Sequence, residues 1–274
     1  PKKIINLSKS IIIKKKNYLS KKNILKNILN HHVLIHLVGL SKKESNLNPN
    51  KAILLKNNIT ENILYAAKIC KVKKLIYLSS IQVYDNFEKK KIINEKSKIT
   101  KKNPYSKSHL LAEKIILSRN QIENTKIVRA SSVFGAMVAS KSKEFTDTIL
   151  NNFCLQLMKK KFLKVKNPYI VRNFLPFTVL TECIEDIICD KFKKDIRVLN
   201  LGYKSLDLNN LYNIVLNRIN LKTKKKLNLN KFNNKKINKF KYVSVYKNYK
   251  FKWKIFYKEI DNLINIFLKK TLVK

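Results

Sequence analysis

Apolar residues recur along this chain in two rhythms, and the way the rhythms alternate predicts the fold. Val33 to Val38 (VLIHLV) and Leu75 to Leu78 are unbroken apolar runs, as in strands covered on both faces. Lys126 to Ala130 and Val198 to Leu201 read as further strands, and Ile11 to Lys14 as a short one. Between the runs, apolar positions recur at helical spacing. Ser20 is a good N-cap for a helix to Leu29 that shows Ile24, Leu25, Ile28 and Leu29 on one face. Thr60 to Cys70 shows Ile63, Leu64, Ala67 and Cys70, and a helix entered at Asn103 shows Leu110, Leu111, Ile115 and Ile116. Ser142 to Lys160 reads as another helix. Such alternation predicts an α/β fold with a parallel sheet.

The last third is less regular. Tyr169 to Phe177 reads as extended, Leu180 to Asp190 and Leu206 to Ile219 as helical. Leu221 to Lys250, rich in lysine and asparagine, predicts a mobile, solvated segment. Ile260, Leu263, Ile264, Ile266 and Phe267 mark a closing helix.

Composition sets limits on this picture. A chain of 274 residues can bury a large core as one domain or two. No apolar run approaches a membrane span, and Ile11 to Ile13 is too short for a signal-peptide core. Cys70, Cys154, Cys183 and Cys189 have no metal-ligand spacing and read as buried thiols of a reducing cytoplasm, so no metal site is expected. The net charge of +43 raises nucleic-acid binding. Yet only five of the 60 basic residues are arginine, whose planar fork reads phosphates and base edges. The lysines are spread along the chain with equally abundant Asn and Ile, which points to A/T-rich coding rather than to a specific nucleic-acid partner.

Candidate chemistry gathers where strands end, because open parallel sheets bind ligands at the carboxyl ends of their strands. Gly39, the pair Ser79 and Ser80, and Gly135 fall there. Asn103 is a good N-cap and Pro104 fits the first helical position, so Tyr105 stands in the first turn of its helix. A serine and a tyrosine hydroxyl converging on one crevice suit proton transfer with a substrate hydroxyl.

Five segments carry a resemblance in matching order: IHLVGL from Ile35, TENILYAAKICKVKKLIYLSSIQVY from Thr60, NPYSKSHLLAE from Asn103, IVRASSVFG from Ile127, and VRNF from Val171. Together they resemble the extended short-chain dehydrogenase/reductases, the NAD-dependent nucleotide-sugar epimerases and dehydratases. The resemblance runs from about Leu19 to Gly202, with a weaker echo in FKWKIFYKEI. It implies a Rossmann-like parallel sheet flanked by helices over residues 1–168 and a smaller substrate-binding lobe, mainly residues 169–274. Tyr105 is implied as general base, with Ser80 binding the substrate and Ser132 and Arg172 holding the nucleotide-sugar. Leu37, Gly39, Ser79, Tyr105 and His109 are implied to contact NAD. His36 matches a strand histidine and reads as structural, while His31 and His32 read as exposed loop residues. A homodimer is an open expectation.

Three departures from the pattern bear on activity. His109 occupies the place of a lysine four residues after the tyrosine, on the same helix face. Lowering a phenol pKa from about 10 to about 7 takes roughly 4 kcal/mol. An ammonium about 5 Å away supplies roughly 3 kcal/mol of it, and a mostly neutral imidazole much less. No glycine precedes Gly39, so the first strand and the glycine-rich pyrophosphate turn are expected upstream of Pro1 or are lost, and Tyr18 replaces an acidic residue. Asn173, Pro176 and Thr178 replace Asp, His and Asp of the substrate segment. The resemblance therefore implies hydride exchange on a nucleoside-diphosphate sugar. The alternatives are a catalytically degenerate member acting as a binding protein and a basic nucleic-acid-associated protein.

Overall fold

The first helix begins where Ser20 Oγ accepts the Asn23 N–H at 3.4 Å, as its N-cap position predicts. A computed structural model describes residues 19–84, 91–100, 103–119, 122–135, 148–160, 165, 167–223 and 240–271. In chain order the elements begin with α1 (Lys21–Ile28), β1 (Val33–His36), α2 (Lys42–Leu47), α3 (Pro49–Ile69), β2 (Lys74–Ser80) and β3 (Ile92–Ile93). Next come α4 (Pro104–Arg119), β4 (Asn124–Ala130), β5 (Ser132–Phe134), α5 (Ile149–Lys160), β6 (Val171–Pro176) and α6 (Phe177–Ile188). The chain closes with β7 (Val198–Leu201), β8 (Lys204–Asp207), α7 (Leu208–Thr223), β9 (Lys241–Tyr242) and α8 (Trp253–Thr271). Among the described residues the central sheet has the order β1-β2-β4-β7, with β1 parallel to β2 and β4 parallel to β7.

The chain forms two compact units, and the boundary between them runs through β2 and β4. One holds the described parts of Pro1–Tyr77 and Lys101–Thr125, the other those of Leu78–Thr100 and Lys126–Lys274. In the first, α3 packs against α1 and α4. Arg119 on α4 pairs with Glu61 on α3 at 2.7 Å. The β1–β2 register runs from Val33 opposite Lys74 to His36 opposite Tyr77.

In the second unit β5 lies parallel to β6, and β6 antiparallel to β8. Its core brings together α5, α7 and α8 through Phe153, Leu157, Leu211, Leu216, Phe256 and Ile260. Helix α7 begins two residues later than periodicity predicts. Leu206 belongs to β8, and Asp207 Oδ1 caps the helix by accepting the Asn210 N–H at 2.8 Å.

Several expectations need correction. The Val33–Val38 run yields a strand of only four residues, with Ile35 39% and Leu37 60% exposed. Among the described residues β1 pairs with β2 alone. Helix α3 starts at Pro49, not Thr60, because Pro suits a first turn. Helix α2 was not foreseen, although Ser41 and Glu44 form a reciprocal capping box at 2.8 and 3.3 Å. Leu29 is exposed because it is the C-cap of α1 and leaves the helical conformation. Of the four free cysteines only Cys154 and Cys183 are buried; Cys70 is half-buried and Cys189 exposed.

Leu221 to Lys250 is not uniformly mobile. Residues 224–239 lie outside the described residues, but β9 pairs in parallel with β3, and Phe240, Tyr242 and Ser244 are buried. The lysines and asparagines around them hide two aromatic anchors. The strand expected at Ile11 to Lys14 also lies outside the described residues, as do Ser142 to Asp147. No helix among the described residues is long and apolar enough to cross a membrane.

Candidate active site

Helix α4 is entered through a reciprocal cap. Asn103 Oδ1 accepts the Ser106 N–H at 2.9 Å, and Ser106 Oγ accepts the Asn103 N–H at 3.1 Å. This fixes the first turn and presents Tyr105, half-buried, at the open end of the helix. One turn on, His109, Glu113 and Ile116 follow one another on a buried face. His109 therefore points inward. Its Nδ1 is hydrogen-bonded to Tyr77 Oη at 2.9 Å, and its ring lies edge-on to Tyr105 with centroids 4.5 Å apart.

A second histidine and a lysine complete this cluster. Thr60 Oγ1 donates to the Lys56 carbonyl at 2.7 Å, so at 3.1 Å His36 Nε2 carries the proton and donates to Thr60 Oγ1. His36 Nδ1 is buried without a partner. Lys56 is 3% exposed. Its Nζ donates to Val38 O at 2.8 Å and stands over the face of Tyr77, 5.1 Å from the ring centroid.

Burial dominates the electrostatics. It holds His36 down to about 3, helped by the Lys56 charge. Burial likewise pushes His109 well below the usual histidine range, with Lys56 and His36 adding to it. The Tyr77 phenol is driven far above its ordinary value by burial, then by Glu113 and Tyr105. Both histidines are therefore neutral at pH 7. Lys56 is lowered by burial to about 8 and keeps most of its charge there.

The other sequence-derived candidates fall in separate places. Leu37 and Gly39 follow β1 in the first unit, together with Tyr105 and His109. A Cβ at Gly39 would stand 2.5 Å from Lys56 Nζ, so the space beside that glycine is taken by the lysine's flexible end. Ser79 and Ser80 are buried at the end of β2, in the second unit. Ser80 Oγ accepts the Gln82 N–H at 3.2 Å, the capping contact expected of a serine before a short helical turn. Ser132 on β5 pairs with Phe174 on β6, two residues along from Arg172. His31 and His32 are exposed.

Sequence reasoning missed Lys56 and Tyr77. The signal for Lys56 was present: Ala52, Lys56, Ile59 and Ile63 share a helical stripe that is otherwise apolar. A helix beginning at Thr60 leaves Lys56 outside that stripe. In the second unit Arg129 was also passed over. Its Nη1 donates to Tyr84 Oη at 2.9 Å, and Tyr84 donates to Asn200 Oδ1 at 2.7 Å. Tyr242 donates to Arg129 O at 2.7 Å, and Glu95 Oε1 accepts from Asn200 N and Ser244 Oγ at 2.7 and 2.6 Å. Such a satisfied buried network gives Arg129 structural work.

The sequence profile of the NAD dependent epimerase/dehydratase family matches residues 9–175. No curated protein sequence matches the chain. Among solved structures it is similar to the UDP-N-acetylglucosamine 4-epimerase of Methanobrevibacter ruminantium M1, solved with UDP-N-acetylmuramic acid. The TM-score is 0.73 at 17% identity, over 93% of this chain and 83% of that one. The UDP-glucose 4-epimerase of Bifidobacterium longum, solved with NAD+ and UDP, gives 0.65 at 20% identity, over 93% and 81%. That of Thermotoga maritima, with UDP-glucose, gives 0.69 at 14% identity, over 98% and 88%. At these identities the structural likeness shows the fold: a parallel sheet flanked by helices.

Proposed function

Because the chain belongs to the NAD-dependent epimerase/dehydratase family, we propose that it exchanges hydride between NAD and a nucleoside-diphosphate sugar, with Tyr105 as the base. One observation carries this reading: the reciprocal Asn103–Ser106 cap holds Tyr105 at the open end of α4, in edge contact with His109. A phenol fixed in that way suits proton transfer at a sugar hydroxyl.

The residues present fit a dinucleotide. Beyond β1 the Leu37 side chain is largely exposed, and the atoms nearest Gly39 are those of Lys56, whose Nζ donates to Val38 O. Leu37, Gly39 and Ser79 would hold NAD through the chain's turn-side backbone, with Tyr105 toward the ribose and His109 behind it, buried against Tyr77. Bound NAD supplies the hydride acceptor and donor. Tyr105 takes or returns the proton of the oxidised hydroxyl. Ser80 accepts from Gln82, and its own O–H remains able to donate to a substrate oxygen. Arg172 and Ser132 would bind the nucleotide diphosphate, a planar cation suiting phosphate, with residues 169–274 forming most of the sugar-nucleotide lobe.

The test is calorimetric titration with NAD, followed by chromatography of UDP-glucose and UDP-N-acetylglucosamine incubated with protein and NAD. Binding and turnover are expected, with Tyr105→Phe and Ser80→Ala each lowering turnover by about a hundredfold or more. Absence of nicotinamide binding sinks the proposal. The neutral state of His109 favours a second reading, a family member that binds without turnover, and NAD binding with no product from either sugar would leave that reading standing.

A further inference from the structure

Lys56 is out of place by every local rule. It sits in an apolar stripe of α3, nearly fully buried, and among the described residues no carboxylate pairs with it. Burying an unpaired ammonium costs several kcal/mol, and a methionine would fill the same space without that cost. One carbonyl, Val38 O, and one ring face, Tyr77, are all that offset it.

The contacts lead from this lysine to the candidate base in three links. Lys56 Nζ lies 5.1 Å from the Tyr77 ring centroid, Tyr77 Oη 2.9 Å from His109 Nδ1, and the His109 ring 4.5 Å from that of Tyr105. The titratable groups facing the cluster are His36 from β1, Tyr77 from β2, and His109 and Glu113 from α4, besides Lys56 and Tyr105. Both histidines are neutral, and the Glu113 carboxylate opposes a phenolate nearby. Lys56 is thus the one cation among these groups, and it stands one helix away from position 109.

We propose that Lys56 supplies from α3 the positive field that position 109 lacks, which makes it a positioning residue for ionisation of Tyr105. The inference rests on Tyr105 being the base. The lysine acts through space and through the Tyr77–His109 pair, not by touching substrate. Its place beside Gly39 also puts the charge at the carboxyl end of β1.

The experiment is a pH titration of the unliganded protein labelled with [ζ-13C]tyrosine, the Tyr105 resonance being assigned with Tyr105→Phe. Because Lys56 itself loses its proton near 8, the titration compares a fixed charge with none: Tyr105 is expected to ionise about one pH unit higher in Lys56→Met than in Lys56→Arg, and the Met variant is expected to gain thermal stability over wild type, since it removes a buried charge. Wild type, whose lysine is charged only below about 8, is expected to lie between the two variants. If the Met variant does not fold, Lys56→Gln, which keeps a donor for Val38 O, decides by the same titration. Equal Tyr105 ionisation in the charge-free and arginine variants overturns the proposal. That result alongside normal wild-type turnover would overturn Lys56 alone. A wild type that neither binds NAD nor turns over would instead overturn the functional reading beneath it.

Discussion

Tyr77 Oη and His109 Nδ1 are hydrogen-bonded at 2.9 Å inside the first unit, 32 residues apart in sequence. This pairing gives His109 an inward-facing role before any catalytic one. It also explains the histidine's charge state, because an imidazole enclosed against a phenol and within the field of Lys56 is held neutral by burial first and repulsion second. The helix face that would carry a cation is therefore occupied by a neutral pair.

Replacing His109 with lysine would place a second ammonium in the field of Lys56 and break the bond to Tyr77. His109→Lys is expected to lose about 2–4 kcal/mol of stability. In the Lys56→Met background the loss should be smaller, since the repulsion is gone while the broken Tyr77 bond remains. Urea denaturation of the four proteins as a double-mutant cycle measures the coupling.

Acid should destabilise this fold through its buried histidines. The folded-state value of His36 lies near 3 and the unfolded value near 6.5, so between those pH values the unfolded chain binds more protons. Stability is then fully present above about 6.5 and falls as pH drops toward 3, by a few kcal/mol. His109 shifts in the same direction. Urea midpoints measured from pH 7.5 to pH 4 should decline, and His36→Asn should flatten the decline.

Two of the three glycines should respond to alanine to different degrees. Gly135 has φ of +147°, and a Cβ there would run into Glu259 Oε1 and lie 2.9 Å from Phe177 Cβ. Gly135→Ala is expected to cost about 2–4 kcal/mol. At Gly39 the obstruction under 3 Å is the end of Lys56, which can shift by giving up its bond to Val38 O, so Gly39→Ala should cost about 1–2 kcal/mol. Thermal melts of both variants check the contrast.

What the sequence determined by itself was local. Unbroken apolar runs and period-3.6 patterning set the order of strands and helices, and Val198–Leu201 is observed with its expected ends. Asn103 and Pro104 announced the entry of α4 because a cap involves residues three apart. Ordered motifs identified the family, since they record backbone geometry repeated over short spans. Tertiary structure decided the rest, through partners far apart in the chain. Lys56 meets Val38 across 18 residues, and Glu95 meets Ser244 across 149. A lysine in an apolar stripe and an aromatic in a lysine-rich tail look solvated or unstructured until burial gives each a partner. The stretch from Asn103 identified Tyr105, but only packing turned His109 toward Tyr77 and brought Lys56 in behind it.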